Sequence, residues 1–285
     1  MTDVLLRTGG LCFAYPQRSG LFRRRILRDV ITRVDLAVPR GSALGLVGES
    51  GSGKTTLGRL LVRLLEPTSG GIQFDGIEIS DLDEADMRPL RARIQMIFQD
   101  PQSSLNPRLR LGTTLTRPLS VHGRIKGRRQ QRERAAALLD LVGLPADFAE
   151  RYPHELSGGQ RQRAGIARAL ALEPDFIVAD EIVSGLDVST QAHILLLLKE
   201  LRARLGLTMV FISHDLSVVR VLCDDVAILQ HGEVVEYGPV ARVFSAPQHP
   251  YTQQLLAAIP LPDVEPGWLD EQRPTAVSQT RGSAA

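Results

Sequence analysis

The chain has 285 residues, 43% of them apolar, and a formal net charge of +2. That length suits one large domain with a subdomain or tail, the apolar share supports a buried core, and the charge bias is too weak to argue for nucleic acid. Cys12 and Cys223 are the only cysteines, too few for a disulfide framework or a four-cysteine metal site, and they fit a reduced cytosolic compartment as structural thiols.

The start, Met1 to Arg7, has neither a basic leader before a long apolar run nor a small-residue cleavage site, so no export signal is expected. Residues 31 to 38 and 43 to 47 read as strands, the second running into Gly48-Glu49-Ser50-Gly51-Ser52-Gly53-Lys54-Thr55. Leu57, Leu60, Leu61, Leu64 and Leu65 then recur with helical spacing, and Pro67 to Gly71 closes that helix. Ile72 to Phe74 with Asp75-Gly76 predicts a strand ending in a tight turn.

From Pro101 to about Leu172 the strand signal disappears, and helices near 129 to 142 and 159 to 172 are the best reading of a helical insert. Beyond it, Phe176 to Ala179, Met209 to Ser213 and Val226 to Leu229 are apolar runs of strand length, separated by helical segments near 189 to 204 and 215 to 222. The alternation predicts a parallel sheet with helices on both faces. No stretch approaches the roughly eighteen apolar residues of a membrane span; Ile194 to Leu198 is bounded by His193 and Lys199. Past Pro260 the chain turns to Pro, Gly, Ser, Thr and charge, so 263 to 285 is expected to be a flexible tail.

Gly48, Gly53, Lys54 and Thr55 match the phosphate-loop pattern in the required setting, strand before and helix after. Glycines let successive N–H groups point at phosphates, Lys54 neutralises the outer ones, and the Thr55 hydroxyl suits Mg²⁺. Phe176 to Ala179 ends in Asp180-Glu181, two acids at the C-terminal edge of a parallel strand, where ligands bind. Asp180 suits the metal shell and Glu181 a water to be deprotonated. Leu156-Ser157-Gly158-Gly159-Gln160 opens a helix that Ser157 can cap. Its glycines cost helix stability and would let a phosphate approach the helix N-terminus; taken alone, an idle cap and a second phosphate-holding device stay equally open.

The turn at 156 to 160, followed by Arg161-Gln162-Arg163, together with the phosphate loop and Asp180-Glu181, resembles the ATP-binding subunit of the ABC transporter family. Further matches follow in order: Gln99 after the strand Ile94 to Phe98, Ser184-Gly185-Leu186-Asp187, and Ile212-Ser213-His214-Asp215. The set spans roughly residues 10 to 238. The resemblance implies an α/β fold, a P-loop NTPase (RecA-like) core with an α-helical subdomain and a small antiparallel β subdomain. It implies a nucleotide-binding domain over 1–262, with core about 1–98 and 173–238, helical subdomain about 99–172 and C-terminal extension about 239–262.

By the same resemblance, Tyr15 stacks on adenine, and Gly48, Glu49, Ser50, Gly51, Ser52, Gly53, Lys54, Thr55 and Thr56 hold ATP. Ser157, Gly158, Gly159 and Gln160 serve the ATP of a partner cassette, and Asp187 lies at the dimer interface. Glu181, His214, Gln99 and Lys54 are the implied catalytic residues; Thr55, Gln99 and Asp180 are the implied Mg²⁺ ligands. Ile182 stands where a proline is commonest and Gly185 where an alanine is, which bears on the stiffness of the loop rather than on hydrolysis.

Gln99 to Arg108 and Pro247-Gln248-His249-Pro250-Tyr251-Thr252 resemble the dipeptide, oligopeptide and nickel importer subunits. Such subunits pair with a second ATPase subunit, bind two integral membrane permease subunits served by an extracytoplasmic solute-binding protein, and sit peripherally on the cytoplasmic face of the inner membrane. No nucleic-acid partner is expected. With no cysteine after Cys223, the iron–sulfur cluster of some relatives is excluded. The arginines at 18, 23, 24, 25 and 28, and those from Arg108 to Arg134, read either as solvated charge or as contacts to anionic headgroups or acidic permease loops. The rival function is an accessory ATPase of a soluble or metabolic complex, such as the carbon–phosphorus lyase relatives, which share the terminal His-Pro-Tyr. DNA-repair and ribosome-associated ATPases of the family usually carry two cassettes or a long coiled coil, and neither is read here.

Overall fold

A computed structural model describes residues 3–19, 24–100 and 104–258, with side chains at 17–19, 24–27 and 258 excepted. The expected tail at 263 to 285, and the side chains of Arg18, Arg23, Arg24 and Arg25, lie outside it.

Two sheets organise the described residues. The larger has strand order β10-β9-β3-β8-β7-β6, in which β3 (Ala43–Val47) lies between β9 (Asp225–Gln230) and β8 (Thr208–Ile212). β7 (Phe176–Asp180) and β6 (Ile94–Ile97) continue it in parallel, and β10 (Glu233–Pro239) joins one edge antiparallel. β3, β7 and β8 are buried at every position, which is why they read as unbroken apolar runs rather than alternating ones. The smaller sheet, order β2-β1-β4-β5, is antiparallel: β1 (Val4–Ser19), β2 (Arg24–Pro39), β4 (Ser69–Phe74) and β5 (Ile77–Glu78).

Side-chain alternation divides the core between the two faces of the large sheet. Leu44, Leu46, Phe176, Val178, Val210 and Ile212 share one cluster with Leu57, Leu60 and Leu61 of α1 (Lys54–Leu61) and with Leu6, Leu11 and Val34 of the small sheet. The helix after the glycine loop is thereby sandwiched between the two sheets. Ala43, Val47, Ile177, Ala179, Met209 and Phe211 face the other way, against α6 (Val188–Leu205), α7 (Leu216–Leu222) and the helical insert. Each fully buried leucine contributes about 1.5–3 kcal/mol.

The insert holds α3 (Leu111–Val121), α4 (Gly127–Leu141) and α5 (Gly158–Leu170); α2 (Glu84–Arg91) precedes β6. The sequence reading finds α4 and α5 but not α3. Leu111, Leu115 and Leu119 carry the helical period and are fully buried, while the threonines between them and Pro118 hide it. The leucine spacing also carries α1 too far. It stops at Leu61, because Arg63 turns to φ +54 and buries its guanidinium, donating to the carbonyls of Ile79 at 2.7 Å and Leu82 at 2.9 Å. Leu64 is accordingly 49% exposed.

Arg93 ties the sheets together, reaching Asp175 at 2.5 Å and Asp75 at 2.6 Å while its guanidinium lies over the Phe74 ring. The hydrogen bond from Arg93 is the main cause holding the Asp75 carboxyl below the usual range. All three groups are about one-third exposed, so solvent leaves this cluster worth about 1 kcal/mol, well below the burial of α1. After β10 come α8 (Val240–Ser245) and α9 (Pro250–Ala258), neither apparent from spacing alone.

Candidate functional site

The glycine loop leaves the C-terminal end of β3, with Gly53 as the left-handed N-cap of α1. A side chain on Gly53 would lie 3.0 Å from the Val30 carbonyl of β2, so the loop is pressed against the small sheet. Lys54 is 6% exposed, and its Nζ donates to the carbonyls of Gly48 at 2.7 Å and Glu49 at 2.8 Å. Burial lowers its pKa against the opposing pull of Glu181, Asp180 and Glu49. The Ser52 amide donates to the Glu49 carbonyl at 3.1 Å, and its buried hydroxyl has no partner among the described residues. Glu49, Ser50 and Gly51 are exposed; Thr55 and Thr56 are half-buried.

β7 lies next to β8 and delivers the two acids. Asp180 is 3% exposed and accepts from the Thr55 hydroxyl at 3.1 Å; burial, the largest influence, raises its pKa. Glu181 takes a left-handed backbone, φ +47, with its amide donating to the Ile212 carbonyl at 3.0 Å. Its carboxylate accepts from Gln99 Nε2 at 3.0 Å, and His214 Nδ1 lies 3.6 Å from the other oxygen. The structure thus joins Lys54, Thr55, Asp180, Glu181, Gln99 and His214 at one edge of the large sheet. The Gln99 amide rests on Glu181 rather than on the Thr55–Asp180 pair.

Asp180 and Thr55 offer hard oxygen donors suited to Mg²⁺. Among the described residues no group of three His, Cys, Asp or Glu could cage a metal. One or two protein ligands completed by phosphate and water is how Mg²⁺ is usually held, so the residues fit it.

Tyr15, 38% exposed, packs edge-on to Phe13 with ring centroids 4.7 Å apart. It pairs with Arg28 on β2, two residues before Val30, and so sits on the sheet against which the loop is pressed.

The second glycine turn opens α5. Ser157 Oγ accepts from the Gln160 amide at 3.3 Å and Gln160 Oε1 accepts from the Ser157 amide at 2.9 Å, a reciprocal cap. Ser157 is exposed and residues 158 to 160 are half-buried. Close packing accounts for one glycine: a Cβ on Gly159 would lie 2.5 Å from Thr190 Cγ2 of α6. At Gly158 the space is open down to an ordinary contact with Leu186. Asp187 caps α6 by accepting from the Thr190 amide at 2.9 Å and hydroxyl at 2.7 Å, which couples the turn to the loop from 182 to 187. Ile182 is buried in that loop, and Gly185 has φ +75, a conformation in which alanine would be strained.

One contact had no signal in the spacing of residues. The Tyr251 hydroxyl of α9 accepts from the Glu49 amide at 3.0 Å, across 202 positions.

A central parallel sheet whose buried strand delivers a glycine loop, with the acids of the next strand but one beside it, defines a P-loop nucleotide hydrolase. A profile described as ABC transporter matches residues 31–184, and one described as oligopeptide/dipeptide transporter, C-terminal region, matches residues 235–284. A Brucella ovis protein named as a peptide import ATP-binding protein is 51% identical over 264 residues, covering 92% of this chain and 81% of that one. A Sinorhizobium fredii protein named as a peptide ABC transporter ATP-binding protein is 48% identical over 264 residues, covering 92% and 74%. Among solved structures, an ATP-binding cassette in a dimeric post-hydrolysis state with ADP and Pi aligns with a TM-score of 0.73 and 32% identity, over 82% of this chain and 98% of that one. A Clostridium perfringens component of the cbiONQ ABC transporter complex aligns at 0.72 and 27%, over 86% and 92%. The chain belongs to the ABC transporter family, as an ATP-binding and ATP-hydrolysing cassette.

Proposed function

We propose that this chain is the ATPase subunit of an importer for di- and oligopeptides or nickel-type solutes, peripheral on the cytoplasmic face of the inner membrane. The observation that carries the activity is the convergence of Lys54, Thr55, Asp180, Glu181, Gln99 and His214 on one sheet edge. The C-terminal match at 235–284 and the names of the relatives support the importer branch.

ATP lies on the loop from Gly48 to Thr56, with its base on Tyr15. Lys54 exchanges the carbonyls of Gly48 and Glu49 for phosphate oxygens. Glu181 orients a water and takes its proton as the water attacks the γ-phosphorus, the bond to the β,γ-bridging oxygen breaks and ADP leaves; His214 contacts the γ-phosphate. Thr55, Asp180 and Gln99 would hold Mg²⁺, which when bound neutralises charge on the phosphates. Ser157, Gly158, Gly159 and Gln160 present a half-buried helix N-terminus, with Ser157 exposed, to the ATP of a partner cassette arranged head to tail. ATP then closes the pair because its phosphates gain donors from both chains, and hydrolysis removes that preference. Two permease subunits follow the closing and opening.

Among the described residues no helix is long and apolar enough to cross a membrane. The test is isolation of the tagged chain from membranes. It should bring two hydrophobic subunits with it and show ATPase activity stimulated by a peptide-loaded binding protein. Recovery in a soluble enzyme complex instead would favour the accessory-ATPase reading and sink this one.

A further inference from the structure

We infer that His249-Pro250-Tyr251 is a clamp on the phosphate loop, and that Tyr251 is a positioning residue for nucleotide binding. The inference rests on the reading that residues 48 to 56 hold ATP.

The clamp is built from the edge of the large sheet. Glu236 on β10 is 9% exposed and accepts from the amides of Gln248 at 3.0 Å and His249 at 3.1 Å. Burial works to raise the Glu236 pKa, but the hydrogen bonds it accepts and the nearby charge of Arg242 together bring it below the ordinary value. His249 Nδ1 accepts from the Tyr251 amide at 3.2 Å, and Pro250 opens α9 where a missing N–H costs nothing. Each residue of the motif therefore has a task in fixing where Tyr251 starts.

Tyr251 is 7% exposed, its ring in the apolar cluster that also holds Val47, the last residue of β3 before the loop. Its hydroxyl accepts from the Glu49 amide. The carbonyl of Glu49 accepts from the Ser52 amide and from Lys54 Nζ. The residue that fixes the loop's turn and holds the lysine is thus pinned from behind by the C-terminal segment. Arriving phosphates must take Lys54 from the carbonyls of Gly48 and Glu49, so the setting of this peptide governs how ready the loop is to bind. Asp180 ends β7 and Glu181 follows it, whereas the hydrogen bonds of the clamp run to Glu236, to Glu49 and within its own segment.

The test uses the full-length chain as wild type, Tyr251→Phe and Glu236→Gln, titrated with a fluorescent ATP analogue and assayed for KM and kcat. Tyr251→Phe keeps the ring and removes the acceptor. It should raise the dissociation constant and KM about three- to tenfold, the effect of one hydrogen bond, with kcat within about twofold and melting without nucleotide shifted by only a few degrees. Glu236→Gln, which loosens the turn and leaves Tyr251 intact, should move affinity the same way by less. A merely structural tyrosine would lower the folded fraction, hence kcat, and leave affinity alone. Wild-type affinity in Tyr251→Phe overturns the clamp; a wild-type chain that fails to bind the analogue overturns the ATP-site reading itself, and the clamp with it.

Discussion

Glu181→Gln should slow ATP hydrolysis by on the order of a hundredfold or more while leaving nucleotide affinity within about threefold. The substitution keeps shape and removes the basic oxygen. The amide oxygen of glutamine can still accept from Gln99 Nε2, now at 3.0 Å from the carboxylate, so the neighbourhood is preserved. The left-handed backbone at 181 burdens glutamine no more than glutamate, and its amide bond to the Ile212 carbonyl is unchanged. On the proposed mechanism, what is lost is the group that takes the proton of the attacking water. Single-turnover phosphate release measured beside equilibrium binding separates the two quantities, and near-normal release in the variant would remove Glu181 from the role.

Lys54→Ala should weaken ATP binding by on the order of a hundredfold, since hydrogen bonds to a charged group contribute about 1.5–3 kcal/mol each. The side chain is buried against the loop, and its two carbonyl partners hold it on the segment to which the proposed function assigns the phosphates. Its ammonium also offsets the nearby acids, Glu181 first among them. The variant strips both the cation and the brace between Gly48, Glu49 and α1. Titration with a fluorescent ATP analogue reads the affinity; binding at wild-type strength would mean that the loop's amides suffice and that the lysine is a brace alone.

The parts of the site contiguous in sequence were legible there. A strand, a glycine loop and a helix follow one another at 43 to 61, and Asp180-Glu181 closes an apolar run, so pattern and position coincide. Gln99 and His214 were reachable only through resemblance, because nothing local says that two strand ends meet on one carboxylate. The second glycine turn was ambiguous for a physical reason. Gly159 answers to Thr190 of a helix thirty residues on, whereas Gly158 has room to spare, and both costs look alike in sequence. Helix α3 was hidden by polar and proline residues between its buried leucines, and the end of α1 by a buried arginine. The meeting of Tyr251 with Glu49 is a property of the folded chain alone.

The claim that each ATP lies between two cassettes is tested most directly by vanadate-dependent photocleavage in assemblies isolated from membranes. A tagged Lys54→Ala chain, whose own nucleotide site is weakened, is trapped there beside an unaltered partner cassette with MgATP and orthovanadate. The account predicts that ultraviolet light cuts the tagged chain within residues 157 to 160 and spares residues 48 to 55. A tagged chain left whole at 157 to 160 while its partner's loop is cut would contradict it.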